Sequence, residues 1–302
     1  MPIINRVADL MPEIAAWRRD IHAHPEVLFD VHRTAGVVAE KLKAFGCDEV
    51  VTGIGRTGVV GVIKGKKDGA SRTIGLRADM DALPITEATG LPYQSTTPGK
   101  MHACGHDGHT AMLLGAAKYL AETRNFAGNA VVIFQPAEEG GGGGREMVKD
   151  GMMDRFGVEE VYGMHNYPGL PVGDFAIRPG PIMAAADRIY IDIEGLGGHA
   201  ARPHVSIDSV LVSAQIINQI QSIVSRNVRP SDTAVLSITQ IHGGDAYNVI
   251  PQEAVIKGTA RAFSMDTLKL IEANMRRLSE SVAAGFGATA QLDFRLIFLP
   301  TV

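Results

Sequence analysis

Cysteine is scarce in this sequence, and the two cysteines present cannot form a disulfide framework. They are Cys47 and Cys104, in a chain of 302 residues. Cys47 ends an apolar helical pattern, and we interpret it as a small buried hydrophobic side chain. Cys104 is chemically useful only as a free thiol, so the sequence predicts a reducing compartment, the cytoplasm.

Long apolar runs and blocks of like charge are also missing. No stretch approaches the length of a membrane span, and the N-terminus lacks the basic-then-apolar order of a signal peptide. The 29 basic residues nearly balance the 33 acidic ones, which argues against a nucleic-acid or membrane partner. With 45% hydrophobic residues, the chain is typical of a globular protein with one large or two smaller cores.

Strand and helix patterns alternate in the first half of the chain. This alternation predicts an α/β domain over residues 1–184, with a largely parallel or mixed sheet flanked by helices. The predicted helices are 7–23, 32–45 and 110–122. The predicted strands are 49–52, 58–63, 73–78, 130–134, 158–163 and 172–177.

The pattern changes near residue 185 to the order β-α-β-β-α-β. This order predicts a ferredoxin-like domain over residues 185–297. Ile189, Ile191 and Ile193 alternate with polar residues, as expected for a strand with one buried face. The predicted elements are strand 188–194, helix 206–227, strands 234–241 and 254–263, helix 265–284 and strand 289–298.

The segment from Lys100 to Thr110 concentrates coordination chemistry, with one thiol and three imidazoles ahead of an apolar helix. Cys104 and His106 are two residues apart, so in an extended chain their side chains leave the same face. A thiolate beside an imidazole suits a borderline-soft divalent metal such as zinc. A tight turn with hydrogen-bonded histidines is the structural alternative.

Three further polar groups follow apolar strands, where open α/β sheets place ligands. Glu138 and Glu139 are adjacent, so one carboxylate can bind a metal while the other stays free as a general base. His165 is a further ligand candidate. Asp79 and Asp81 are predicted to support the site by holding ligand imidazoles in one tautomer. The alternatives are a solvated acidic loop, a hydrogen-bonded core histidine and a polar strand end.

Other motifs are interpreted as structural. Gly53–Gly58 matches the spacing of a dinucleotide fingerprint, but a strand rather than a helix follows it, so we predict a hairpin turn. His22 and His24 fall at a predicted helix end, where their spacing places the rings on different faces. His199 lies in a glycine-rich loop that reads as a turn, although an exposed imidazole there can donate to a developing oxyanion.

Taken together, these motifs resemble the aminoacylase/carboxypeptidase amidohydrolase family, in the branch of hippurate hydrolases, indole-acetyl-amino-acid hydrolases and N-acetyl-diaminopimelate deacetylases. The resemblance covers the whole chain. The segments that carry it are 18–22, 77–84, 101–109, 135–140, 163–165, 197–204, 248–251 and 258–261.

The resemblance implies metal-dependent hydrolysis of N-acyl amino acids to a carboxylic acid and an amino acid. It implies two divalent metal ions (zinc, manganese, cobalt or nickel) and Glu138 as the general acid/base. The implied ligands are Cys104, His106, Glu139 and His165. The ferredoxin-like domain is implied to be an inserted lid through which two chains form a homodimer. Its residues His199, Asn248 and Arg261 are implied to contact the substrate. His199 would act in the partner subunit's site, and the other two would hold the substrate carboxylate.

One departure leaves an alternative open. Members of the family return from the lid to the catalytic domain and add a last histidine ligand, whereas the ten histidines here all lie at or before His242. Residues 298–302 are interpreted as the start of that return. The alternative to an active enzyme is therefore a truncated, catalytically incomplete metal-binding or dimerisation protein of the same fold. A nucleotide-binding oxidoreductase, resting on Gly53–Gly58, is a weaker alternative.

Overall fold

The computed structural model describes residues 4–69 and 71–301. The first three residues of the N-terminus and the last residue of segment 298–302 lie outside the described residues. The chain divides into two compact units, Met1–Asp174 and Phe175–Val302. This division falls before the predicted domain boundary at 184/185. Within the described residues, none of the helices combines the length and apolar character needed to cross a membrane.

The first unit contains one mixed sheet and five helices among its described residues. The strands are β1 (Glu49–Ile54), β2 (Gly58–Lys64), β3 (Thr73–Asp79), β4 (Asn129–Gln135) and β5 (Glu160–Gly163). The helices are α1 (Asn5–Ala23), α2 (His32–Ala44), α3 (His106–Thr123), α4 (Gly143–Lys149) and α5 (Met152–Phe156). The predicted mixed sheet flanked by helices is thus confirmed.

The strand order in this sheet is β1-β2-β4-β3-β5. β4, β3 and β5 run parallel, whereas β1, β2 and β4 pair antiparallel. Alternate residues of β4 enter separate cores on opposite faces, because successive side chains of a strand point to opposite sides. Val132 and Phe134 join a cluster with residues of α1, α2 and α3. Val131 and Ile133 pack with Met147 and Met152 of α4 and α5.

Two local predictions in this unit have clear outcomes. Gly53–Gly58 forms the turn of the β1–β2 hairpin, as predicted. The strand predicted at 172–177 is wrong, because no strand forms there. Its apolar residues Val172, Phe175 and Ile177 are largely exposed. The segment has the composition of a strand, but among the described residues it has no neighbour to complete a ladder.

The second unit has the predicted β-α-β-β-α-β order around a four-stranded antiparallel sheet. Its strands are β6 (Ala185–Glu194), β8 (Ala234–His242), β10 (Glu253–Ala262) and β11 (Thr289–Phe298), in the spatial order β11-β6-β10-β8. α6 (Ser209–Ser222) and α7 (Met265–Gly285) contribute to its core. Ile189, Ile191 and Ile193 are buried as the alternation predicts, and full burial of such a side chain contributes about 1.5–3 kcal/mol.

The structure revises two boundaries in the second unit. α6 begins later than predicted, because the Asp208 carboxylate caps it by accepting from the N–H groups of Val210 (2.9 Å) and Leu211 (3.1 Å). A π-helical turn, Ile223–Asn227, follows α6. The glycine-rich segment predicted as a turn instead contains β7 (Gly198–His199), which pairs with β9 (Val249–Ile250).

Candidate metal centre

The carboxyl ends of β3, β4 and β5 lie at one edge of the sheet, because these strands are parallel neighbours. Asp79 is the last residue of β3. Glu138 and Glu139 follow β4, and His165 follows β5. The topology therefore delivers carboxylates and an imidazole to the same edge, which is where ligands bind in sheets of this class.

Cys104 and His106 reach this edge from the N-terminus of α3. Gly105 precedes the helix with φ +94°, and His106 is the first helical residue. The expectation that the two side chains leave one face of an extended chain is therefore wrong. The glycine is required here because a Cβ would collide with the carboxamide of Asn166, whose Cγ would lie 2.9 Å away.

His106 Nε2 lies at the centre of the cluster. It is 3.8 Å from Glu139 Oε1, 4.0 Å from Glu138 Oε2 and 3.6 Å from Asp79 Oδ2. On the other side of the cluster, Cys104 Sγ lies 3.4 Å from His165 Nε2. Three groups of metal-ligating side chains share His106, and within each group the ligand atoms lie within 4.8 Å of one another. The three groups are Cys104, His106 and His165; Asp79, His106 and His109; and His106, Glu138 and Glu139.

Two atoms of this cluster provide a test of whether a cation fits. His106 Nε2 and Glu139 Oε1 are buried, and neither has a hydrogen-bond partner among the described residues. A buried polar atom without a partner is costly, so its presence requires an explanation. An imidazole nitrogen, carboxylate oxygens and a thiolate are the donor set of a borderline-soft divalent cation. The residues therefore fit the predicted metals.

Asp81 orders the cluster through both its side chain and its backbone. Its carboxylate oxygens accept from the backbone N–H groups of Glu138 (2.9 Å) and Glu139 (3.1 Å). Its backbone carbonyl accepts from His106 Nδ1–H (2.7 Å), which directs Nε2 towards the carboxylates. Asp81 thus fixes the tautomer of His106 through its main-chain carbonyl.

Asp79 is held from two sides. Its Oδ1 accepts from His109 Nδ1–H (2.7 Å), and its Oδ2 accepts from Arg77 Nη1–H (2.7 Å). Burial alone would raise the pKa of Asp79, but the hydrogen bond from His109 and the charge of Arg77 hold it well below its usual range. Asp79 therefore keeps a fixed negative charge beside His106.

Burial and close contacts shift the pKa values of the remaining groups. Burial tends to lower the pKa of His106, but Asp81 and Cys104 outweigh it and raise the pKa to about 11. The adjacent imidazoles of His106 and His165 lower the pKa of Cys104, which favours the thiolate. Burial, followed by the charge of Glu139, raises the pKa of Glu138. Perturbed groups of this kind concentrate at functional sites.

The remaining predicted site residues belong to the second unit. His199 is exposed on β7, and its Nδ1 accepts from the N–H of Ala201 (3.1 Å). The backbone carbonyl of Asn248 accepts from the N–H of Ala200 (3.0 Å), so His199 and Asn248 lie close together. Arg261 lies on β10, where Nη1 donates to the Ala260 carbonyl (2.7 Å).

His109 and Asn166 have no role in the site predicted from the sequence. The N–H of Asn166 donates to His109 Nε2 (3.0 Å), which links the segment after His165 to α3. His109 follows His106 by three residues, so the two share a helix face. Beginning the helix at His106 rather than Thr110 would have revealed this pairing.

His22 and His24 have separate partners, consistent with their structural interpretation. His22 Nδ1 lies 2.9 Å from Asp107 Oδ2, and its Nε2 lies 3.2 Å from Glu87 Oε1. His24 Nδ1–H donates to the Asp20 carbonyl (2.7 Å). The His22–Asp107 contact joins α1 to the first turn of α3, next to His106.

Sequence comparisons identify similar proteins over most of the chain. The sequence profile of peptidase family M20/M25/M40 matches residues 75–286. A hippurate hydrolase of Campylobacter jejuni is 46% identical over 283 residues, covering 94% of this chain and 73% of that protein. An N-acetylcysteine deacetylase of Bacillus subtilis is 43% identical over 286 residues, covering 94% and 74% respectively.

Solved structures show the same fold. A protein from methicillin resistant Staphylococcus aureus has a TM-score of 0.92 and 35% identity, covering 98% of this chain and 78% of its own. A Bacillus subtilis protein described as a dinuclear metal binding peptidase from the M20 family has a TM-score of 0.82 and 37% identity. That match covers 97% of this chain and 76% of the Bacillus protein.

Proposed function

The chain belongs to peptidase family M20/M25/M40, and on that premise we propose that it hydrolyses the amide bond of N-acyl amino acids with the help of two divalent metal ions. The products are a carboxylic acid and a free amino acid. Substrates of this class are named for similar proteins, among them hippurate hydrolase and N-acyl-L-amino acid amidohydrolase. The observation that carries the proposal is the pair of unpartnered atoms, His106 Nε2 and Glu139 Oε1, beside the carboxylate of Glu138.

We assign Cys104, His106, Glu139 and His165 as ligands. The lowered pKa of Cys104 supports the assignment because thiolate is the form that binds metal. A reducing compartment such as the cytoplasm would keep this thiol available. When bound, the ions would lower the pKa of a water molecule and polarise the substrate carbonyl.

We assign Glu138 as the general acid/base. Asp81 holds its backbone, so its side chain is directed into the cluster from a fixed point. Burial and the neighbouring Glu139 raise its pKa, which brings the carboxyl closer to the range where proton transfer in both directions is efficient. Glu138 would take a proton from the attacking water and deliver it to the leaving nitrogen.

Residues 185–297, which lie within the second unit, are proposed to act as a lid and dimerisation domain. In His199, Nδ1 accepts from Ala201, so Nε2 carries the proton and can donate to the developing oxyanion. We propose that His199 does so in the site of a second copy, and that Asn248 and Arg261 bind the substrate carboxylate. Light scattering coupled to size-exclusion chromatography should give the mass of a homodimer, and a monomer with full activity would contradict the role of His199.

The two adjacent glutamates offer a matched test of the central proposal. Glu138→Gln should retain the metal content of the wild type but lose turnover of N-benzoyl and N-acetyl amino acids by about 10²–10⁴-fold, the usual contribution of a general acid/base. Glu139→Gln should lose both metal and turnover, because it removes a ligand charge. Elemental analysis and an amidase assay on the same preparations separate the two effects.

Two results would count against the proposal. Loss of metal in Glu138→Gln would contradict its role as a proton carrier. Wild-type protein that binds metal but hydrolyses neither substrate class would favour a binding protein of the same fold. Growth in media supplemented with zinc, manganese, cobalt or nickel, followed by elemental analysis and assay, identifies the ion that supports turnover.

A further inference from the structure

His109 is buried at 3% exposure, one turn after His106 on α3. It is grouped with Asp79 and His106 by distance, which makes it a candidate metal ligand. However, both of its ring nitrogens already have protein partners. Nδ1–H donates to Asp79 Oδ1 (2.7 Å), and this leaves Nε2 as the acceptor for the backbone N–H of Asn166 (3.0 Å).

Asn166 connects His109 to the rest of the cluster. It directly follows His165, and its backbone carbonyl accepts from His165 Nδ1–H (2.7 Å). This hydrogen bond leaves His165 Nε2 for Cys104 Sγ, 3.4 Å away. The backbone of Asn166 is therefore bonded on one side to His109 and on the other to the imidazole of His165.

The side chain of Asn166 packs against the other ligand-bearing segment. Its carboxamide covers Gly105, the residue between Cys104 and His106, with no room for a Cβ at that position. It also contacts His109 Nε2, and because Nε2 accepts a hydrogen bond here, the amide nitrogen of Asn166 must face it. Asn166 is thus enclosed by α3 on one side and by Gly105 on the other. A displacement of His109 would release the segment that carries His165.

We propose that His109 is a positioning residue that sets the geometry of His165 relative to Cys104 through Asn166 without binding metal itself. This proposal rests on the proposed function, because it assumes that Cys104 and His165 are ligands. Outer partners of metal ligands typically change metal affinity by about 10- to 100-fold when they are removed. We therefore expect an effect on metal binding that exceeds any effect on folding.

Three substitutions separate the two hydrogen bonds of His109. His109→Gln can place an amide oxygen near the position of Nε2 and so accept from Asn166. His109→Asn can place an amide nitrogen near Nδ1 and so donate to Asp79. His109→Phe keeps the ring shape but removes both. His102→Phe is the matched control, because His102 is also buried in the same motif but has no hydrogen-bond partner among the described residues.

The readout is the absorption spectrum of the cobalt(II)-loaded protein, together with the cobalt dissociation constant from competition with a chromogenic chelator. Thiolate-to-cobalt charge transfer reports the bond to Cys104, and the ligand-field bands report the coordination geometry. His109→Phe should weaken cobalt binding by about 10- to 100-fold and alter both features. His109→Gln should restore affinity and spectrum more fully than His109→Asn, and His102→Phe should match the wild type.

Circular dichroism confirms that each variant is folded before its spectrum is interpreted. If His109→Phe does not fold, the comparison of His109→Gln with His109→Asn decides the proposal. Wild-type affinity and spectrum in all folded variants, or recovery in His109→Asn alone, would overturn it. If the wild type itself binds no cobalt, or binds it without a thiolate band, the ligand assignment fails instead of the positioning role.

Discussion

The first unit buries seven titratable side chains among its described residues, whereas the second unit buries only one, Asp187. The seven are His22, Asp79, Asp81, His102, His106, Asp107 and His109. Apart from that carboxylate, the second unit packs isoleucines of β6 against the apolar faces of α6 and α7. Buried charge is costly unless it is paired or coordinated. The difference indicates that the first unit is shaped by a site and the second by packing.

The sole tryptophan allows this comparison to be tested unit by unit. Trp17 lies on α1 and packs against Phe45 with ring centroids 5.6 Å apart, so its fluorescence reports on the first unit. Circular dichroism reports on helices and strands of both units. Each hydrophobic cluster of buried residues belongs to a single unit. We therefore expect two distinguishable unfolding transitions in urea.

The largest effect is expected from a cavity in the second unit. Ile191 is fully buried on β6, between Ile256 of β10 and Leu292 of β11. Ile191→Ala should destabilise the second unit by about 2–5 kcal/mol, seen by circular dichroism in urea, while the Trp17 transition stays in place. Ile241→Ala, at a half-exposed position on β8, is the control. An equal shift of the Trp17 transition would show that the two units unfold together.

Metal removal should instead destabilise the first unit and leave the second unit unchanged. Binding to the folded state alone stabilises it by about 3 kcal/mol when free metal is one hundred times the dissociation constant. A chelator should therefore lower the urea midpoint of Trp17 fluorescence and leave the second transition unchanged. Glu139→Gln should show no response to the chelator. A response confined to the second unit would contradict the site in the first.

Gly105→Ala tests whether the N-terminus of α3 depends on a close approach. A residue other than glycine at positive φ costs about 1–3 kcal/mol, and here a Cβ would also displace Asn166. Gly99→Ala is the matched control, because Gly99 has φ +77° but a Cβ added there would meet no atom within 4 Å. Both variants should lower the Trp17 midpoint, and only Gly105→Ala should weaken metal binding. Equal metal affinity in the two variants would contradict the contact.

The smallest effect on stability is expected from Asp187, the buried carboxylate of the second unit. Burial raises its pKa to about 6, although the N–H of Ala260 donates to its Oδ1 (2.7 Å). Its other oxygen is buried and has no hydrogen-bond partner among the described residues. Because the folded pKa lies above the unfolded value of about 3.9, the protonated carboxyl stabilises the fold below about pH 4. That contribution is lost as the pH rises through 6.

Asp187→Asn should therefore stabilise the second unit at pH 8 by about 1 kcal/mol, since it removes the charge and keeps an acceptor for Ala260. The gain should disappear near pH 4, where the wild-type side chain is protonated. Asp192→Asn, an exposed carboxylate on the same strand, should change stability little at either pH. A gain that persists at pH 4 would assign the effect to something other than charge.

Local sequence patterns predicted most elements because they reflect local physics. β11 was predicted with its observed ends, and the alternation of β6 identified its buried isoleucines. The start of α3 was missed because histidine, aspartate and glycine have weak helix propensity. In the structure, contacts of His106 with Asp81 and of His109 with Asp79 and Asn166 hold the first turn of α3. Residues 172–177 show the converse. They have the composition of a strand, but composition alone does not supply a neighbouring strand with which to pair.

The donor types, their positions at strand ends and the β-α-β-β-α-β order of the second unit follow from the amino-acid sequence alone. The folded chain, by contrast, brings the carboxylates of Glu138 and Glu139 to the same imidazole, because the two residues lie in a turn and not in an extended strand. The folded chain was needed to establish that the backbone of Asp81 orients His106 and that His109 reaches Asn166, 57 residues away. Those contacts join segments distant in sequence, and which atoms meet depends on strand order and helix placement rather than on any local pattern.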